Sequence, residues 1–281
     1  MKIGIVGQGY VGTAIKVGFE SYYDLETYDK YSEEKSTMQL ADMVESCEVI
    51  FVCVPTPMNK DGSCNIDVVE GVIKQINKLL TDWKSDKKPI VVIKSTVPPG
   101  TTEKLHKKFK NVNVIFNPEF LTEANFIDDF KNQTRIILGG TRKGTNKLRQ
   151  IYSKIFPQAT IVKTGSKTAE MVKYFTNTFL ATKVSFANEM YSVCEQIGID
   201  YDKVVEYATY DDRLGKSHWA VPGPDGDFGF GGHCLPKDLS AIISQFETYG
   251  LLESVEQVND QVRNDRDWEH MVGRAVLEEE E

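Results

Sequence analysis

A chain of 281 residues has room for about two domains at roughly 150 residues each, and its 41% hydrophobic and 26% charged residues are ordinary for a globular protein. The formal net charge of −8 argues against nucleic acid as a partner, and no apolar run approaches the roughly 20 residues that a membrane-spanning helix needs. The charge is uneven, +2 over residues 1–150 and −10 over residues 151–281, so an anionic ligand is expected on the first stretch.

A strand pattern opens at Lys2, directly behind Met1, which leaves no space for a secretory leader. Apolar runs then recur at Leu25–Tyr28, Val49–Val54, Ile90–Lys94, Val112–Phe116, Arg135–Leu138 and Thr160–Val162. Several are β-branched and apolar on both faces, as in a parallel sheet covered by helices. Helical patterns fit between them, among them Thr13–Glu20, Val68–Trp83 and Lys143–Ile155. This alternation predicts an α/β fold, a doubly wound parallel sheet over residues 1–165.

From Lys167 to Ile197 apolar residues recur at helical spacing without Gly or Pro, and Gly198 supplies a stop. The pattern predicts one helix of about 31 residues, about 46 Å long, a spine that links domains or pairs subunits. Residues 166–281 are therefore expected to form an all-helical domain built on it. Shorter helices are expected at Tyr201–Tyr207, Leu239–Tyr249 and Ser254–Leu277, a Gly- and Pro-rich loop at Asp211–Lys237, and a solvated, frayed end at Glu278–Glu281.

The five cysteines are odd in number and show neither a CxxC pair nor a Cys/His ligand spacing. Disulfides and a structural metal are not expected, and a reducing cytoplasm fits best.

Three segments carry chemistry. The first strand runs into Gly7-Gln8-Gly9-Tyr10-Val11-Gly12 and then a helix. Gly7 permits the tight turn, Gly9 admits a pyrophosphate close to the backbone, and Gly12 lets helix pack on strand. Asp29, at the end of the second strand, is placed for the adenosine ribose hydroxyls and repels a 2′-phosphate, so NAD is expected over NADP. The sheet is thus read as an N-terminal Rossmann-type NAD-binding domain. The second segment is Phe228–Asp238, where three glycines lead into Cys234 with Lys237 and Asp238 just behind. It reads either as a Gly-rich turn with an incidental thiol or as a nucleophile activated by a nearby cation. A thiol beside a nicotinamide can trap an aldehyde and pass a second hydride, giving a carboxylate. Third, Lys173 and Asn177 share one face of the long helix, as packing residues or as donors to an alkoxide. Glu119 and Glu123, after a strand end, are a solvated pair or include a general base. Thr56 and Thr96, also after strand ends, make turns or line a cofactor cleft.

Taken with FVCVPTP, IKSTVPPGTT, NPEFLTEA, KTAEMVKYFTNTFLATKVSFANE, DDRLG and GFGGHCLPKD, these segments resemble the UDP-glucose/GDP-mannose dehydrogenase family. The resemblance implies a central helical dimerisation domain, a homodimer, and two successive NAD-dependent oxidations of a sugar C6 alcohol, with UDP-glucose the foremost substrate. It implies Cys234 as nucleophile, Lys173 and Asn177 as substrate-binding and oxyanion-stabilising pair, Glu119 as general acid/base, and Asp238 as the acid that orients water or the lysine. Gly7, Gly9, Tyr10, Val11, Gly12, Asp29, Thr56, Thr96, Glu123 and Lys237 fall at cofactor positions. Leu121, the loop Gly223–Asp227 and Gly231 fall at substrate positions, and Arg213 at one that reaches the partner subunit's substrate. Family members usually continue into a third, nucleotide-holding domain, and the 47 residues after Cys234 are too few for it. A β-hydroxyacid dehydrogenase of the 6-phosphogluconate type, which needs no thiol, and an inactive NAD-binding module are the alternative readings.

Overall fold

All seven expected strands are present, with ends displaced by at most two residues: β1 (Lys2–Val6), β2 (Asp24–Tyr28), β3 (Val49–Val52), β4 (Ile90–Ile93), β5 (Asn113–Phe116), β6 (Arg135–Gly139) and β7 (Thr160–Thr164). The computed structural model describes residues 1–81 and 88–277. The chain folds into two compact units, Met1–Thr56 with Ile66–Lys173, and Pro57–Asn65 with the chain from Tyr174 onward.

In the first unit the strands form one sheet in the order β2-β1-β3-β4-β5-β6-β7. Pairing is parallel from β2 through β5 and between β6 and β7, while β5 and β6 meet antiparallel at Phe116 and Gly139. The fully parallel expectation fails at this one junction, where β6 runs against β5. The connection between them holds a 3-10 turn and the six-residue α5 (Phe126–Lys131), and it packs Phe130 against Phe19. Strand order reverses between β1's two neighbours, which marks the crevice where doubly wound folds take ligands.

Helices α1 (Tyr10–Phe19), α5 and α6 (Arg142–Ile155) cover one face, where Phe19 packs edge-on against Phe51 and Tyr152. Helices α2 (Leu40–Ser46), α3 (Asp67–Leu79) and α4 (Thr101–Lys108) cover the other with Met43, Ile73, Ile76 and Leu105. The helix expected over Val68–Trp83 ends at Leu79, and Trp83 lies outside the described residues. The long helix α7 (Ser166–Ile197) runs 32 residues, and its start adds Ala169 to this second face. There Glu170 is fully buried, and its carboxylate accepts the N–H groups of Gly100 (2.5 Å) and Thr102 (2.7 Å) at the N-terminus of α4.

The second unit packs the rest of α7 with α8 (Tyr201–Ala208), α9 (Leu235–Gln245) and α10 (Leu251–Val262) around Ala181, Phe230, Leu239 and Val255. Two expectations are corrected. The helix placed at Leu239–Tyr249 begins four residues earlier, because Pro236 is tolerated in a first turn, and Phe246 ends it in extended conformation. The helix placed at Ser254–Leu277 stops at Val262, where Arg263 turns extended. The N–H groups of Asn264 and Asp265 are taken by the Asp227 carboxylate (3.1 and 2.9 Å). The following turn reaches the strap Pro57–Asn65, where Met58 exchanges backbone bonds with Ala275 and Leu277. The acidic end at Glu278–Glu281 lies outside the described residues. Among the described residues no helix is long and apolar enough to cross a membrane.

Glu170→Ala leaves two N–H donors buried without an acceptor. Its expected cost is about 2–3 kcal/mol of stability, read as a lower urea midpoint at unchanged slope.

Candidate active site

The first unit holds a cradle for a phosphate. Gly7, at the end of β1, has φ +89°, and a Cβ there would lie 2.6 Å from the carbonyl of Cys53. A Cβ on Gly12 would lie 2.0 Å from the Gly7 carbonyl, so helix α1 sits on the turn at a distance only glycine allows. At Gly9 a Cβ would meet nothing within 4 Å. That opening lies at the N-cap of α1, which has no side-chain cap, and Tyr10 and Val11 form the first turn. A helix N-terminus with an open glycine backbone suits a diphosphate. Asp29 borders the cradle: its Oδ2 accepts the Gln8 N–H (2.8 Å) and its Oδ1 the Tyr31 N–H (3.0 Å). Each oxygen keeps a lone pair for a ribose hydroxyl. The residues present therefore fit a dinucleotide. Thr56 and Thr96 are buried in the turns after β3 and β4, Leu121 is half-buried, and Glu123 is exposed on a short 3-10 turn.

Beyond the end of β5, Glu119 and Lys173 meet as a buried ion pair, Oε1 to Nζ 2.9 Å. Glu119 Oε2 accepts the Leu121 N–H at 2.6 Å. Burial pushes the Glu119 pKa up, but the Lys173 ammonium, the Leu121 N–H and the charge on Lys94 outweigh it and hold it below the ordinary value. Without a ligand, Glu119 is thus the counterion of Lys173, and Lys173 also lies 5.6 Å from the ring centre of Phe120.

The second unit gathers the other candidates. Cys234 is half-buried and occupies the N-cap of α9, which sequence alone had left inside a loop. One turn on, Lys237 and Asp238 are buried and paired. Burial would lower the Lys237 pKa, but the Asp238 carboxylate outweighs it and raises it, with smaller contributions from Cys64 and Cys234. Lys237, expected at a cofactor position, is thus a buried cation beside the thiol. Asp238 also accepts the Asn177 side-chain amide at 2.6 Å, so Asn177, Asp238 and Lys237 form one chain of contacts.

The substrate positions separate. Gly231 is tightly enclosed: a Cβ would lie 2.2 Å from Arg263 Nη2 and 2.4 Å from Asp267 Oδ1. Asp227 spends its carboxylate within the chain, on Asn264, Asp265 and Phe228 N–H groups, which hold its pKa down to about 2, the Asp265 N–H foremost. Gly223 closes a turn, its N–H donating to the Asp227 carbonyl at 2.7 Å. Arg213 is exposed and paired only with the neighbouring Asp211, both oxygens 2.9 Å from Nε.

Sequence reasoning missed three supports. Asn259 clamps the backbone of Phe230, accepting its N–H (2.7 Å) and donating to its carbonyl (3.0 Å). Arg263 and Asp267 hold the same loop, Asp267 accepting the Gly232 N–H. An amide or arginine on a predicted helix gives no signal of such a role. Lys94 is the third, and its signal was visible: a lysine that closes an all-apolar strand. Among the described residues no cluster suits a metal ion, and none of the five cysteines forms a disulfide.

A turn-helix cradle on a mostly parallel sheet, followed by a helical unit, defines a class of dinucleotide-binding proteins. Residues 21–156 match the NAD-binding domain of the UDP-glucose/GDP-mannose dehydrogenase family, and residues 167–261 its central domain. The chain belongs to that family. The UDP-glucose 6-dehydrogenase AglM of Haloferax volcanii is 31% identical, over 92% of this chain and 70% of its own. The UDP-glucose 6-dehydrogenase TuaD of Bacillus subtilis is 33% identical over 81% of this chain and 49% of its own, so the chain spans about half the length of that relative. Among solved structures, a UDP-glucose dehydrogenase from Pyrobaculum islandicum superposes with a TM-score of 0.80 at 29% identity, over 92% of this chain and 68% of that one.

The thiols differ in environment. Burial pushes Cys53 up to about 12 and Cys47 up to about 11. Cys234 differs in place: it is half-buried at the N-cap of α9, one turn before the paired Lys237 and Asp238. Alkylation by iodoacetamide at pH 7, followed by peptide mass spectrometry, is expected to modify Cys234 at least about tenfold faster than Cys47 or Cys53.

Proposed function

We propose that this chain acts as an NAD-dependent nucleotide-sugar 6-dehydrogenase that converts UDP-glucose or a close analogue to the uronate. Residues 1–165 serve as the NAD-binding domain and residues 166–281 as the central domain with the catalytic loop, in a cytoplasmic enzyme. The observation that carries the reading is Cys234 at the start of α9, next to the Lys237–Asp238–Asn177 contacts.

Gly7, Gly9 and Gly12 would hold the diphosphate of NAD and Asp29 its ribose, and the bound cofactor would supply the hydride acceptor for each of two oxidations. Lys173 and Asn177 donate to the C6 oxygen as its proton leaves, and stabilise the negative charge that develops there. The Cys234 sulfur then bonds to C6 of the aldehyde, giving a thiohemiacetal that still carries one hydrogen on that carbon. Loss of that hydrogen as a second hydride leaves a thioester. Water adds to the thioester carbonyl, the C–S bond breaks, and the thiol is regenerated with release of the acid. Glu119 takes the protons, and Asp238 orients Lys237 and Asn177 around the sulfur. A cysteine is the residue for this role because its thiolate both attacks and leaves readily.

The acid should form with two NADH per substrate. The purified protein is to be screened with UDP-glucose, UDP-N-acetylhexosamines and GDP-mannose, with acid quantified by mass spectrometry. Cys234→Ser is expected to abolish acid formation. One NADH per substrate would favour a β-hydroxyacid type of chemistry, and none a binding module.

A homodimer belongs to the same proposal. In the second unit, α7 leaves Phe175, Phe179, Phe186 and Ile197 uncovered, at 68%, 59%, 52% and 65% exposure. Their spacing places them along one stripe, more apolar surface than a lone helix leaves in water, and Arg213, exposed and held by Asp211, is the residue that reaches toward the partner in this proposal. Phe179→Asp is expected to convert a dimer to a monomer at micromolar concentration, measured by light scattering.

A further inference from the structure

Lys94, directly after β4, has no part in the steps above, yet it is 4% exposed and carries a charge. Its Nζ donates to Asn117 Oδ1 (3.2 Å) and to the Pro118 carbonyl (3.1 Å), the two residues that precede Glu119. Asn117 is fixed in turn: its amide donates to the Ile137 carbonyl (2.8 Å), and its Oδ1 accepts the Tyr152 hydroxyl (2.5 Å). Both acceptors of Lys94 are neutral. Tethering them requires only an uncharged donor, and burying an ammonium is costly unless a charge answers it.

The groups that act on Lys94 are Glu119, Lys173 and the Cys53 thiol, all in the first unit. Burial lowers the Lys94 pKa to about 8, and the Glu119 carboxylate opposes that shift. Lys94 and Glu119 line one cavity of about 340 Å³, together with Phe120, Leu121 and Arg135. Two buried lysines thus share a single carboxylate. With Lys173 alone the pair would be neutral; with Lys94 the group carries one positive charge. A net positive group is suited to an alkoxide, whereas a neutral ion pair offers it little.

We propose that Lys94 is a positioning residue for the oxidation: it fixes the Asn117–Pro118 approach to Glu119 and supplies the charge that offsets Glu119, which leaves the Lys173 ammonium available to the substrate oxygen. The inference rests on the reading given under Proposed function. It names a residue that acts through Glu119 and not on the substrate itself.

Three variants test it, each checked for folding by circular dichroism. Lys94→Met removes donors and charge, Lys94→Gln keeps a donor and removes the charge, and Lys94→Met is also combined with Glu119→Gln. Either single Lys94 variant is expected to lower kcat about tenfold with KM for NAD within about twofold. In the Glu119→Gln background the same change is expected to cost less than about twofold, because the carboxylate to be offset is gone. Lys94→Gln with wild-type kcat, or an equal loss in both backgrounds, overturns the proposal. If Lys94→Met does not fold, Lys94→Gln is made in both the wild-type and the Glu119→Gln backgrounds and carries the comparison. A second readout needs no turnover: the Glu119 carboxylate, followed by carbon NMR, is expected to titrate about one unit higher in Lys94→Gln. An unchanged titration overturns the role of Lys94 even if no nucleotide sugar is oxidised, whereas a raised titration without turnover supports the role and counts against the dehydrogenase reading.

Discussion

One buried ion pair joins the turn after β5 to the long helix in the first unit. Lys173 and Glu119 side chains are 4% and 5% exposed, so neither charge has water to solvate it. Removing an ion from water costs several kcal/mol even after relaxation, and attraction between partners repays it only with good geometry and further hydrogen bonds. Those extra bonds are visible: the Leu121 N–H on the carboxylate, the Phe120 ring under the ammonium, Lys94 behind. The pair also ties two distant parts of the chain, the turn after β5 and the first turns of α7. Glu170, one turn before Lys173, repeats the tie by capping α4. The start of α7 is therefore held on the sheet by charge as well as by Ala169.

The strands were legible because a buried parallel strand is apolar on both faces and needs no context to be recognised. The long helix was legible for a related reason, an apolar period uninterrupted by Gly or Pro. Helices α2 and α4 were not, since they are short and α4 is rich in Lys and Thr. The reversed direction of β6 was hidden as well, because an apolar strand pattern carries no sign of strand direction. Of the site, Gly7, Gly9, Gly12 and Asp29 stood out, since their spacing is local. Glu119 and Lys173 were visible singly, but their pairing joins two segments far apart in sequence. Asp227 shows the opposite case. The family resemblance puts it at a substrate position, and its carboxylate also accepts the N–H groups of Phe228, Asn264 and Asp265, which no local pattern reveals.

The loop before Cys234 owes its shape to residues on both sides of it in sequence. Gly229 donates to Asn188, Phe230 is clamped by Asn259, and Gly232 is held by Asp267. Glycines allow the loop its path, but side chains from α7, α10 and the following turn select that path. The thiol is thus set at a helix start by a polar frame, most of it buried. An apolar frame would leave these backbone groups unpaired.

The strap Pro57–Asn65 belongs by contacts to the second unit, though it lies in the chain between β3 and α3 of the first. Its Met58 pairs with Ala275 and Leu277, more than two hundred residues later. On a ribosome that emits the chain from its first residue, this strap leaves the tunnel early and waits for partners that come near the end of the described chain. The first unit can close its sheet around the gap, while the second cannot be completed until synthesis has passed α10. The order of manufacture and the order of assembly are therefore different for Met58, whose backbone N–H and carbonyl must be satisfied by water for that interval, while Asn59, Gly62 and Asn65 find partners within the strap itself.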